Sequence, residues 1–265
     1  MAYANINGIS LYYRVDDSKP DTPWLVLSNS LGSDVGMWAP QVSAFAEHFR
    51  VLRYDTRGHG RSAAPRGPYT IEELTSDVIS LMDHLGITRA NFLGLSMGGL
   101  TGVALGARHA DRFERIVLSN TAAKIGSPEV WLPRAAKARE DGLAGMAGAV
   151  LARWLTPAVA AQTPFAYATL RDTLLHTDRE GYAANCEAIN ATDLRDDARL
   201  IKVPVLVIAG MHDMSTPPAQ GRELADSIVG ARFVEFADAS HLANIEVPGR
   251  YTRTVLDFLL DKQIL

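Results

Sequence analysis

Cysteine is almost missing from this chain. Cys186 is the only one in 265 residues, so no disulfide can form within it. A reducing compartment is the expectation. Long apolar runs are missing too, since no stretch approaches the roughly 20 residues that cross a bilayer. The segment Met1-Ala2-Tyr3-Ala4-Asn5 lacks the basic and then apolar pattern of a secretory leader. A cytoplasmic setting without a membrane partner is therefore expected. No run of Lys or Arg stands out and the net charge is −4, so nucleic acid is not an expected partner. Neither a metal nor another cofactor is expected. His212 and Asp213 stand side by side, but no third ligand follows at helical or loop spacing. Internal repeats are absent, and the sequence carries no signal of oligomeric state.

What the chain does contain is the mix of an ordinary globular protein, with 47% hydrophobic and 21% charged residues. A chain of this length buries roughly three quarters of its unfolded surface, enough for a large core. Short β-rich runs alternate with amphipathic stretches. Residues 9–15 read as an edge strand with polar residues interleaved. Residues 24–27, 51–54, 90–93, 115–118, 203–208 and 232–236 read as buried strands, with helical patterns such as 71–85 and 97–109 between them. Near-continuous Val/Leu/Ile runs suit strands covered on both faces, as in a parallel sheet. The alternation predicts βαβ units and a doubly wound α/β sheet. One region breaks the rhythm. Residues 124–196 are Ala-rich and helical in spacing, punctuated by Pro128, Pro133, Pro157 and Pro164. The expected organisation is a core of residues 1–123 and 197–265 with a helical cap, 124–196, inserted into it.

The densest chemical signal is Gly94-Leu95-Ser96-Met97-Gly98-Gly99. It is a G-x-S-x-G placed after a strand and before a helix, the context of a nucleophile elbow. There the serine takes a strained backbone with φ above zero, and glycines two residues away on each side avoid clashes. The geometry lifts the Ser96 hydroxyl above the sheet edge and points the Met97 amide at a developing oxyanion. A second amide should come from Ser28-Asn29-Ser30-Leu31-Gly32, the loop after the strand at 24–27, with Leu31 as donor. Many hydrolases carry His-Gly at that place.

A serine hydroxyl needs a base, and in this fold the order is Ser, then Asp or Glu, then His. Of seven histidines, only His212 and His241 follow late strands beyond the insertion. His241, in the loop after the last strand, is the expected base. Asp213, just past the strand at 203–208, is the expected acid that orients it. Asp238 competes by nearness in sequence, and Asn120 stands where some relatives place the acid. Tyr54-Asp55-Thr56-Arg57-Gly58-His59-Gly60-Arg61-Ser62 reads as a structural turn pinned by an Asp–Arg pair. Cys186 reads as a small buried hydrophobe.

The fold is thus expected to be an α/β-hydrolase fold. Ser28-Asn29-Ser30-Leu31-Gly32 with Met37-Trp38, the Tyr54–Gly60 stretch, the elbow, and Lys124-Ile125-Gly126 together resemble the 3-oxoadipate enol-lactonase family. The resemblance runs along nearly the whole chain. It implies hydrolysis of a small lactone bearing a carboxylate, in bacterial breakdown of protocatechuate or catechol. A local cation should receive that carboxylate. Arg134 is the candidate, with a solvated surface arginine as the alternative. Trp131 and Trp154 either wall the pocket or anchor the cap to the core. Other readings stay open: a general carboxylesterase, a C–C bond hydrolase, a perhydrolase, or a ligand receptor on the same fold.

Overall fold

Eight strands pair into one sheet in the computed structural model, which describes residues 2–17, 19 and 21–261. They are β1 (Ala2–Ile6), β2 (Ile9–Asp16), β3 (Trp24–Ser28), β4 (Arg50–Tyr54), β5 (Ala90–Leu95), β6 (Phe113–Ser119), β7 (Val205–Gly210) and β8 (Arg232–Phe236). Across the sheet they run β1-β2-β4-β3-β5-β6-β7-β8. The pairs β1–β2 and β2–β4 are antiparallel, and the rest are parallel. Strands β5 and β7 are buried at every position, as unbroken apolar runs demand when helices cover both faces. One expectation needs correction. Residues 9–15 do not form the edge, because β1 pairs outside β2 from Ala2↔Tyr13 to Ile6↔Ile9. A two-residue turn at Asn7 and Gly8, both with positive φ, joins the two strands.

The helices are α1 (Ala39–Ala46), α2 (Ile71–His84), α3 (Met97–Arg108), α4 (Pro128–Asp141), α5 (Ala147–Trp154), α6 (Pro157–Gln162), α7 (Pro164–His176), α8 (Arg179–Ala191), α9 (Arg195–Ala198), α10 (Pro218–Ser227), α11 (Ala243–Glu246) and α12 (Pro248–Leu259). Right-handed crossovers dictate their faces. The step from β3 to β4 runs one way across the sheet, while β4 to β5, β5 to β6 and β7 to β8 run the other. Hence α1 covers one face, packed with α11 and α12, and α2, α3 and α10 cover the opposite one. Among the described residues no helix is long and apolar enough to cross a membrane.

Helices α4 to α9 all lie between β6 and β7. Pro128, Pro157 and Pro164 open α4, α6 and α7, where a missing N–H costs nothing and a fixed φ helps. Pro133 instead lies inside α4. Helix α4 packs along α8, and α5 against α7. The end of α5 is tied to the segment that follows β8. Leu242 donates its amide to Trp154 at 2.9 Å, and the Ser240 hydroxyl donates to the Arg153 carbonyl at 3.0 Å.

Candidate active site

The chain reverses direction across the sheet at β3 and β5, so the loops that follow these neighbouring strands part to opposite faces. In open α/β sheets a ligand crevice forms outside the strand ends at such a point. Ser96 sits there, between β5 and α3, with φ 58° and ψ −113°. This is the left-handed side of the map, which costs a non-glycine residue about 1–3 kcal/mol. The neighbours hold it in place. Its amide donates to Ser119 at 2.9 Å, and its carbonyl accepts from the Thr121 hydroxyl at 2.8 Å.

The flanking glycines are there because nothing larger fits. A Cβ on Gly94 would lie 2.1 Å from the Gly98 carbonyl oxygen, and one on Gly98 2.2 Å from that of Ser28. Both obstacles are backbone, so neither yields cheaply. The Gly98 amide also donates to the Asn29 carbonyl at 3.0 Å, fastening the start of α3 to the loop after β3. Gly98→Ala is therefore expected to lose about 3 kcal/mol or more of stability. Urea unfolding of the purified variant measures this, and a wild-type midpoint would refute the steric account.

That same loop carries Leu31. The buried amides of Leu31 and Met97 donate to no acceptor among the described residues. Met97 opens α3, where the first N–H groups have no partner within the helix. Buried amides left unpaired are uncommon; Leu31 lines the same cavity as Ser96, and Met97 follows Ser96 in the chain.

His241 and Asp213 come from the ends of β8 and β7, and both are buried. His241 Nδ1 lies 2.8 Å from Asp213 Oδ2. Around Asp213 every other contact is a donor: Ser215 N at 2.8 Å, Thr216 N at 3.0 Å, Thr216 Oγ1 at 2.8 Å and Asn120 Nδ2 at 3.1 Å. Burial alone would raise the Asp213 pKa. The imidazole beside it and these hydrogen bonds outweigh burial and hold it below the ordinary carboxylate range. An ionised carboxylate only accepts, so Nδ1 carries the proton and His241 Nε2 is left with a free lone pair. Asp238 is elsewhere, exposed and paired with Arg250. Asn120, just after β6, donates to Asp213.

Ser96, His241 and Leu31 line one cavity of about 240 Å³ together with Trp131, Arg134, Arg153 and Trp154. All three residues singled out in the insertion therefore reach it. Trp131 and Trp154 are also buried in the hydrophobic core, so each serves as wall and as anchor at once. The Trp131 indole donates to the Ile125 carbonyl at 2.6 Å. Arg134 is half-buried. Its guanidinium lies 5.2 Å from the Trp131 ring centroid, and its Nε donates to the Tyr182 hydroxyl at 2.8 Å. Arg153, exposed at the end of α5, was not singled out from sequence. Neither arginine has an acidic partner among the described residues, and no Asp or Glu lines the cavity. The cavity is thus small, aromatic-walled and cationic.

Two expectations outside the cavity also have outcomes. Within the loop at 54–62 Asp55 holds Arg61, whose amide donates to it at 2.9 Å, whereas Arg57 pairs outside the loop. It reaches out to Asp77 at 2.7 Å and Glu73 at 2.5 Å on α2, while Asp55 accepts the amides of Val35 and Arg61. Cys186 is buried in the core, which pushes its thiol up to about 12. Among the described residues no group of three or more His, Cys, Asp or Glu could hold a metal ion.

Comparison with known proteins agrees with this architecture. The family model for the alpha/beta hydrolase fold matches residues 23–248. The chain is 43% identical over 235 residues to 3-oxoadipate enol-lactonase 2 of Acinetobacter baylyi, covering 89% of this chain and 88% of that one. To 3-oxoadipate enol-lactonase 1 of the same organism it is 38% identical, covering 96% and 95%. The crystal structure of the enol-lactonase from Burkholderia xenovorans superposes with a TM-score of 0.96 at 63% identity, covering 98% of this chain and all of that one. The chain belongs to the α/β-hydrolase fold family, and 3-oxoadipate enol-lactonases are among its close relatives.

Proposed function

We propose that this chain hydrolyses 3-oxoadipate enol-lactone to 3-oxoadipate through an acyl-enzyme on Ser96. The insertion, 124–196, acts as the cap that shapes the substrate site. The observation that carries the substrate is the cavity beside Ser96, lined by two arginines without an acidic partner among the described residues and by no carboxylate. Its volume of about 240 Å³ suits a compact ring rather than a long acyl chain. The enol-lactonase relatives point to the same substrate.

His241 Nε2 takes the Ser96 proton as Oγ attacks the lactone carbonyl. Charge moves onto the carbonyl oxygen, where the Leu31 and Met97 amides receive it. Collapse breaks the ring C–O bond and expels an enolate, a better leaving group than an alkoxide. The His241 imidazolium gives its proton to the enolate, which becomes the ketone, and His241 is neutral again. Water, deprotonated by His241, then attacks the Ser96 ester; the bond to Ser96 Oγ breaks as His241 returns the proton to that oxygen, and the product leaves as a dicarboxylate. Asp213 keeps the imidazole in the tautomer this cycle needs and stabilises its charged form.

Arg134 receives the carboxylate that the substrate already carries. It is half-buried and braced by Tyr182 and Trp131, so its charge is less screened than that of exposed Arg153. Arg134→Ala should lower kcat/KM for the anionic enol-lactone by about 100-fold, the scale of one charge-assisted hydrogen bond. It should spare α-angelica lactone, a neutral enol-lactone that lacks the carboxylate. Arg153→Ala should have the smaller effect. Steady-state kinetics on the two lactones and on p-nitrophenyl acetate decide the matter. Equal losses on both lactones would remove Arg134 from this role. An enzyme preferring the ester to the anionic lactone would overturn the substrate while leaving the chemistry of Ser96.

A further inference from the structure

His59 is buried, belongs to none of the machinery above, and stands directly behind the loop that carries Leu31. Its Nε2 accepts the Gly32 amide at 2.8 Å. The proton of this imidazole is therefore on Nδ1, which faces the Arg57 carbonyl at 3.4 Å. Burial pushes the His59 pKa down to about 4, so the ring is a neutral acceptor at neutral pH.

Gly32 follows Leu31, so its amide belongs to the peptide unit just after the one that presents the Leu31 N–H. The preceding unit is held from its carbonyl side, where Ser30 accepts from the Ser33 amide at 3.2 Å and hydroxyl at 2.7 Å. His59 holds the following unit from its amide side. With both peptide planes fixed, the Leu31 backbone between them has little freedom left. Gly32 cannot be braced by bulk instead. Its φ is +80°, and a Cβ there would lie 2.7 Å from Leu174 on α7.

The His59 loop is in turn held by the insertion. Asn185 on α8 donates to the Arg57 carbonyl at 2.9 Å. Gly58 meets Gly181 of α8 backbone to backbone, so closely that a Cβ on Gly58 would lie 2.5 Å from the Gly181 Cα. A continuous set of contacts thus runs from α8 through residues 57–59 to Gly32 and Leu31.

We propose that His59 is a positioning residue: by accepting the Gly32 amide it fixes the aim of the Leu31 N–H, and it ties that aim to the seating of α8. The proposal rests on Leu31 being an oxyanion donor. Without the acceptor, the buried Gly32 amide turns to find another partner and carries Leu31 with it.

Two polar substitutions separate this from simple packing. The end of a glutamine side chain reaches where Nε2 stands and can accept the Gly32 amide. Asparagine reaches only as far as Nδ1. His59→Asn should lower kcat on the enol-lactone by about 30- to 100-fold, approaching the loss of one oxyanion donor. KM should change little, and a small boronic acid that forms a tetrahedral adduct on Ser96 should bind more weakly by a similar factor. His59→Gln should return both quantities most of the way to wild type. Equal losses in the two variants, or wild-type kcat and boronate affinity in His59→Asn, would overturn the proposal. Ser96→Ala, assayed alongside, isolates the underlying reading. Its inactivity with silent His59 variants sinks only the inference about His59, whereas activity in Ser96→Ala sinks both.

Discussion

Ser96→Ala should lower kcat on the enol-lactone by roughly a million-fold, and His241→Ala by about as much. The fold should survive in each. The strained backbone at position 96 is held through its own amide and carbonyl, to Ser119 and Thr121, and alanine keeps both groups. The two losses should not add. A hydroxyl without a base is a poor nucleophile, and a base without the hydroxyl has nothing to deprotonate. The double variant should therefore be no slower than either single one. What remains is the contribution of binding and of the Leu31 and Met97 amides, worth about 10³- to 10⁴-fold over water. Single-turnover assays at high enzyme concentration, with circular dichroism melts of each variant, test this. Wild-type-like turnover by either variant would overturn the assigned roles. A double variant far slower than both would show that the two groups act separately.

Much of this site can be read from the sequence because its parts are local. The elbow is a single hexapeptide between a strand and a helix. His241 and Asp213 follow late strands in the order this fold requires. What escapes the sequence is what long-range packing brings in. Strand β1 escapes because Ala2–Ile6 buries only Ala4 and Ile6, too short an alternation to read as a strand before its partner is known. Arg153 escapes because an arginine in the last turn of a helix reads as a solvated C-terminal charge. It reaches the cavity only because the end of α5 docks on the Ser240–Leu242 segment, through hydrogen bonds spanning nearly 90 residues. His59 is legible as a structural turn, but its partner Gly32 lies 27 residues upstream, and no local pattern announces it.

Asp213→Asn is expected to cost about four orders of magnitude in kcat, although it replaces a single oxygen. The reason lies in how the carboxylate is surrounded. Oδ1 accepts from the amides of Ser215 and Thr216, and a side-chain NH₂ there would face two donors. The amide oxygen of asparagine must therefore take that side. Its NH₂ then replaces Oδ2, which now accepts from His241, Thr216 and Asn120. The Thr216 hydroxyl can rotate and accept instead. Asn120 is less free, because its Nδ2 also donates to the Ser240 carbonyl at 3.0 Å and its Oδ1 accepts from Ser119 at 2.9 Å. The decisive change falls on His241. Facing a donor, its Nδ1 must give up the proton and accept, so the proton moves to Nε2, where the lone pair for Ser96 has to be. The imidazole keeps its place and loses its function. Asp238→Asn, which touches only the surface pair with Arg250, should be silent in the same assay. Full activity in Asp213→Asn would show that the tautomer is set by something other than this carboxylate.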